Sequence, residues 1–179
     1  MRLKGRQRLT KKDKKRSKRI NGLLNQWGSA MKNYIFGNFM DWGNVLDKLQ
    51  YLEDTKTLDD HQDELIKLLR FDGNWRLREA AVEAASGLTK PKLETGMQLL
   101  QLIKREDIYY DIRIMATEAL STLIALIVED KELNRDLARL FIDSANLEVT
   151  NLLSSPEPPI FHDALDIIFK EIQNVMATA

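Results

Sequence analysis

Three features of the 179-residue chain predict an all-α fold, a short α-solenoid of antiparallel helical hairpins with atypical capping helices at both ends. First, the stretch from Asp72 to Leu88 recurs 35 positions later, carrying Asp72 to Asp107, Leu77 to Ile112, Arg78 to Arg113, Ala81 to Ala116, Ala84 to Ala119 and Leu88 to Leu123. Second, Leu77, Ala80, Ala81, Ala84, Ala85 and Leu88 fall at i, i+3, i+4, i+7, i+8 and i+11, an uninterrupted helical stripe. Third, Asp72-Gly73-Asn74, Lys90-Pro91 and Ser154 to Pro159 cut the chain into helix-length pieces. A fixed period of this length marks an array whose units bury their apolar faces only against their neighbours.

Residues 1–20 form a basic arm. Arg2, Lys4, Arg6, Arg8, Lys11, Lys12, Lys14, Lys15, Arg16, Lys18 and Arg19 stand against one acid, Asp13. With two large aliphatics beyond Met1 in residues 1–19 (Leu3 and Leu9), the arm has too little to bury and is expected to be disordered in isolation. Residues 21–179 form the helical repeat domain. Within it, 21–54 reads as a degenerate N-terminal hairpin. Leu23, Leu24, Trp27, Met31, Tyr34 and Ile35 supply its first helix, and Trp42, Val45, Leu46 and Leu49 stand 35 positions before Leu77, Ala80, Ala81 and Ala84. Residues 55–90 and 91–129 are the regular repeats. Leu58, Leu65, Ile66, Leu68 and Leu69 mark the first helix of one, and Leu93, Met97, Leu99, Leu100, Leu102 and Ile103 that of the other. Ile112, Met115, Ala116, Ala119, Leu120, Leu123 and Ile127 give the second stripe. Residues 130–179 read as a C-terminal cap in which the 35-residue period fails: a helix over Leu133, Leu137, Leu140 and Phe141, a short apolar piece Leu147–Leu153, and a last helix over Phe161, Ala164, Leu165, Ile168, Ile172 and Val175.

Composition narrows the function classes. The net charge of zero divides into +10 on the arm and, with 16 cations and 26 acids in the rest, −10 on the body. Cysteine is absent, which excludes disulfides and thiolate metal sites and fits a cytoplasmic protein. No apolar run reaches the length of a transmembrane helix, and the N-terminus lacks the apolar stretch of a secretory signal. No Gly-rich phosphate loop occurs, and no Ser or Thr has a His partner in a motif that would activate it. His61 and Glu64 form a His-x-x-Glu pair at one-turn spacing, but acids at a helix start also suit the macrodipole.

The pattern Asp-x-x-x-x-hydrophobic-Arg-x-x-Ala-x-x-Ala, as Asp72/Leu77/Arg78/Ala81/Ala84 and Asp107/Ile112/Arg113/Ala116/Ala119, resembles the second helix of HEAT repeats, of the short phycobilisome-lyase-type kind. The match covers roughly Leu58–Ile127. The resemblance implies that Asp72, Arg78, Asp107 and Arg113 form a structural ladder bridging adjacent repeats. Elementary chemistry agrees, because an Asp at a helix start accepts backbone N–H bonds and an Arg offers five donors. The paired His-Glu dyads of HEAT-repeat metal oxygenases are missing. HEAT-like DNA glycosylases need a cationic concave face, whereas the exposed positions here are mixed to acidic.

The expected function is therefore a non-enzymatic protein–protein interaction module, an adaptor with no cofactor and no catalytic or metal site. Its concave protein-binding face is expected at Trp75, Arg76, Glu79, Glu83, Tyr110, Asp111, Ile114 and Glu118. For Trp75, Tyr110 and Ile114 the alternative is packing between repeats. An alternative function is binding of nucleic acid or the ribosome through the phosphates, using residues 2–19. The arm could instead fold onto its own acidic body. A second alternative is a small HEAT-like lyase. The aromatics after the arm (Trp27, Tyr34, Phe36, Phe39, Trp42 and Tyr51) read as filling of the first hairpin in preference to a membrane-surface element.

Overall fold

Helix-length stripes separated by short polar breaks become helices. The computed structural model describes residues 35–178, and from Phe36 onward they form one compact unit. Its elements are α1 (Trp42–Asp54), a 3-10 turn (Leu58–His61), α2 (Gln62–Leu69), α3 (Trp75–Ser86), α4 (Leu93–Lys104), α5 (Tyr110–Val128), α6 (Arg135–Leu153) and α7 (Pro159–Thr178). No strand occurs among the described residues. The proposed arm and the helix read over Leu23 to Ile35 lie outside them, apart from Ile35 itself.

Local chemistry sets the boundaries. Asn74 caps α3, its Oδ1 accepting from Arg76 N–H at 3.0 Å, and Asn134 caps α6 by accepting from Asp136 N–H at 2.8 Å. Pro159 opens α7, where a missing N–H costs nothing. The loop entering α4 is clamped to the 3-10 turn. Asp59 accepts from Thr89 N–H and Lys90 N–H at 3.1 and 2.9 Å. Gln62, buried, donates to the Lys90 carbonyl and accepts from Lys92 N–H, both at 2.8 Å, and from the Thr95 hydroxyl at 3.0 Å.

The helices pack in consecutive pairs, α2 with α3, α4 with α5, α6 with α7. They also pack in two rows, α1–α3–α5–α7 and α2–α4–α6. The core between the rows contains Leu65, Leu68, Leu77, Ala81, Leu99, Ile103, Ile112, Ala116, Leu120, Leu165, Ile168 and Ile172. Ala81, Ala85 and Ala116 have no exposed surface, as expected of small residues that let helices approach. Gly96 does the same on α4: a Cβ there would lie 2.6 Å from Ile127 Cδ1 and 2.8 Å from Phe141 Cζ.

The period stretches where it was expected to fail. The helices α3 and α4 have 12 residues each, and α5 and α6 have 19. The loops leaving α3 and α5 both have six residues (87–92, 129–134), and those leaving α4 and α6 both have five (105–109, 154–158). The start-to-start spacing therefore grows from 35 (Trp75 to Tyr110) to 49 (Tyr110 to Pro159). Seven added residues are two helical turns, so the buried faces stay in phase. Accordingly Ile112, Ala116, Ala119 and Leu123 map onto Phe161, Leu165, Ile168 and Ile172, every one buried.

Several expectations are corrected. Leu147–Leu153 is not a separate piece but the last part of α6. The buried face of α6 is Ala138, Phe141, Ile142, Ala145 and Val149, while Leu137, Leu140 and Leu147 are 49, 64 and 59% exposed. Two alanines hold that face, and the leucines drew the wrong stripe. Leu58 lies in the 3-10 turn, and Leu133 precedes α6. Trp42 is 45% exposed although Leu77, its counterpart, is buried; Val45, Leu49 and Leu52 carry the α1 core. Met97 is exposed, and Ala80 and Met115 are only half-buried, whereas Val82 is buried outside the expected stripe.

Candidate functional site

The eight residues assigned to a protein-binding face are four pairs related by the 35-residue period: Trp75/Tyr110, Arg76/Asp111, Glu79/Ile114 and Glu83/Glu118. They lie on α3 and α5, which pack side by side. Trp75, Arg76, Glu83, Tyr110, Asp111 and Glu118 are exposed, and Glu79 and Ile114 are half-buried. Two of the aromatics make contacts between units. Trp75 meets Tyr109 edge-on with centroids 6.0 Å apart, and Arg76 lies over the Trp75 ring at 5.4 Å. Tyr110 meets Phe161 of α7 edge-on at 5.8 Å. Glu53 of α1 is held above the ordinary carboxyl range by burial, with Glu83 and then Asp54 adding repulsion.

At the foot of the same helices lies the predicted ladder, wired differently from the expectation. Arg78, buried, donates through Nη2 to the Asp72 carboxylate and, at 2.9 Å, to the Phe71 carbonyl. Neither Asp72 nor Asp107 caps a helix. Asn74 serves α3, and α5 begins after Tyr109 without a side-chain cap. Both aspartates bind Arg105, a residue not anticipated: Nη1 reaches Asp72 at 2.6 Å, and Nε and Nη2 grip Asp107 at 2.8 and 2.6 Å. Bridging of adjacent units thus runs Asp72–Arg105–Asp107. Those hydrogen bonds hold the Asp107 carboxyl down at about 2 and raise the Arg105 guanidinium. Burial lowers Arg78 against the opposing pull of Asp72.

Arg113 has another partner altogether. Its Nη2 and Nη1 donate to Glu157 at 3.0 and 3.4 Å, and its Nε donates to the Ile103 carbonyl at 2.9 Å. The Tyr110 hydroxyl adds a 2.7 Å hydrogen bond to Glu157. The guanidinium also lies over Tyr110 and Phe161, 4.9 and 4.3 Å from their centroids. Burial pushes the Glu157 carboxyl up, but the Tyr110 and Arg113 hydrogen bonds outweigh it and the net shift is downward. The bond to Glu157 in turn raises the Tyr110 phenol. Glu157 was missed because it sits 44 residues after Arg113, in the loop entering α7, at an offset that the 35-residue period does not carry.

A pocket of about 360 Å³ opens at Arg78, lined by Asp72, Trp75, Arg78, Arg105, Asp107, Ile108 and Tyr109. A larger groove of about 670 Å³, walled by Ala125, Val128, Arg139, Ile142, Val175 and Met176, lies where α5, α6 and α7 end or begin and contains none of the predicted site residues. Of the His61–Glu64 pair, His61 ends the 3-10 turn, and Glu64, in the first turn of α2, pairs with Lys67 at 2.5 Å. Among the described residues no group of three or more His, Asp or Glu side chains is arranged to hold a metal ion, and no helix is long and apolar enough to cross a membrane. The basic arm, Arg2 to Arg19, lies outside the described residues. The chain matches no family model, no curated protein and no solved structure.

Proposed function

We propose that the chain is a non-enzymatic protein-interaction module, a short HEAT-like solenoid whose working surface is the α3–α5 face, with a cytoplasmic location. The observation that carries this reading is the periodic placement of Trp75/Tyr110, Arg76/Asp111, Glu79/Ile114 and Glu83/Glu118 side by side on packed helices. Such a face combines large amphipathic rings with a mixed-to-acidic rim, the make-up of an interface anchor and its surround. The resemblance to HEAT repeats supports the solenoid. So do the equal loop lengths and the phase-preserving extension of α5 and α6. The test is charge reversal at Glu79→Lys with Glu83→Lys, followed by affinity capture from lysate. Loss of a reproducible set of captured proteins with an unchanged melting temperature is expected. Unchanged capture removes this face from consideration.

A second reading rests on charge partition. Eleven cations among residues 1–20 suit a phosphate backbone, so the arm binds nucleic acid or the ribosome. Retention on RNA by the full chain, compared with a chain beginning at Ile20, is expected to fall steeply with salt and to need the arm. Salt-independent retention, or retention without the arm, refutes it.

A further inference from the structure

The structure holds two copies of one arrangement, one closed by the loop of the next hairpin and one whose arginine pairs with Asp72 beside a pocket. In the closed copy, Tyr110 and Arg113 receive a carboxylate, Glu157, from the loop Ser155-Pro156-Glu157-Pro158. In the copy 35 residues earlier, Trp75 and Arg78 occupy the same positions and line a pocket of about 360 Å³. Arg78 there uses only Nη2, and its buried Nε has no hydrogen-bond partner. At the closed site the equivalent Nε donates to the Ile103 carbonyl. An arginine whose side chain is 5% exposed and only partly satisfied is uncommon, because buried polar groups are nearly always paired.

From this we infer that the Arg78 pocket is the anchoring site for a glutamate-bearing, proline-flanked segment of a partner protein, entering as Glu157 enters the site at Arg113. The inference rests on the α3–α5 face being an interaction surface, since Trp75 belongs to both. The walls suit such a segment. Trp75 and Tyr109 present exposed rings 6.0 Å apart, and extended proline-rich chains dock on aromatic-lined grooves at low entropic cost. The floor carries two guanidiniums, Arg78 and Arg105, against two carboxylates, Asp72 and Asp107. Asp107 is the resident competitor: it is 67% exposed and occupies Nε and Nη2 of Arg105, the donors an incoming carboxylate needs. Entry of a glutamate therefore displaces Asp107 from Arg105, while Asp72 stays between Arg78 Nη2 and Arg105 Nη1. The incoming carboxylate is shared by Arg105 and Arg78 Nη1, which makes no hydrogen bond among the described residues.

The probe is the capped hexapeptide Ser-Pro-Glu-Pro-Pro-Ile, copied from residues 155–160, titrated into the full chain with the amide signals of residues 105–109 followed by NMR. Saturable shifts are expected with the glutamate peptide and none with its glutamine version. Asp107→Asn is expected to tighten binding about five-fold, ~1 kcal/mol, and Trp75→Ala to abolish it with the fold intact. Three outcomes overturn the site: equal shifts with the glutamine peptide, no shift in either wild type or Asp107→Asn, or weaker binding by Asp107→Asn. The two levels separate cleanly. Capture lost in the Glu79→Lys, Glu83→Lys protein with no peptide binding sinks the pocket alone. Peptide binding with capture untouched sinks the wider face alone.

Discussion

Arg78 and Arg113 occupy the same place in α3 and α5, and their surroundings differ. Arg113 is enclosed: two nitrogens on Glu157, a third on a backbone carbonyl, and two aromatic rings against the guanidinium. Arg78 has one nitrogen engaged, and its carboxylate partner Asp72 is 65% exposed and shared with Arg105. The difference comes from the loop that follows. The α4–α5 loop carries Asp107, third of five residues, together with Arg105, which claims it. The α6–α7 loop carries Glu157 fourth of five and has no arginine or lysine, and its serine hydroxyls donate to the Thr150 and Asn151 carbonyls of α6. A repeat position thus supplies a cationic plug, and the neighbouring loop decides whether it is closed.

The sharpest way to break the comparison is to remove each arginine. Arg113→Met strands a carboxylate with 10% side-chain exposure and a buried carbonyl, and is expected to cost about 3–5 kcal/mol in urea unfolding. Arg78→Met leaves Asp72 with Arg105 and exposed to water, and is expected to cost about 1–2 kcal/mol, chiefly for the Phe71 carbonyl. Equal losses would show that the two sites are energetically alike. Next in size, Ala81→Leu and Ala116→Leu are each expected to lose about 1–3 kcal/mol by overpacking. A neutral thermal melt for either would contradict the tight approach of α3 and α5 to their neighbours. Gly96→Ala gains helix propensity of about 0.5–1 kcal/mol but drives its Cβ into Ile127 and Phe141, so a net loss of about 1 kcal/mol is expected.

The smallest effect is a pH dependence. Because the folded Glu157 carboxyl titrates below its usual value near 4.5, its contribution to stability is fully present above that value and is lost as pH falls through the lower, folded one. Denaturant midpoints at pH 6 and pH 3 should therefore differ more in the wild type than in Glu157→Gln. An identical pH slope in both proteins would take Glu157 out of the acid response.

The central repeat was readable because its code is local. Asp72 to Leu88 and Asp107 to Leu123 present helical stripes with Gly and Pro punctuation, and period alone reports them. The last hairpin was harder to read for a physical reason. Adding two turns to each helix keeps the buried faces aligned in space but breaks the fixed offset in the chain, so α7 was found by its own stripe and not as a repeat. The face of α6 was misjudged because leucine looks more like core than alanine does. Burial depends on which side meets α4 and α7, and Ala138 and Ala145 are on that side.

The candidate site divides in the same way. Trp75, Tyr110 and the two buried arginines were legible as repeated positions. Their partners were not, since an ion pair depends on where a loop delivers its side chain. Arg105 sits two residues before Asp107 and takes both aspartates, and Glu157 reaches Arg113 from the next hairpin. The sequence by itself determined the helical periodicity, the small-residue contacts at Ala81 and Ala116, and the division of charge between arm and body. Only the tertiary structure decided the phase of the longer hairpin, the wiring of the ladder and the open pocket at Arg78, because each depends on distances between elements that no local pattern encodes.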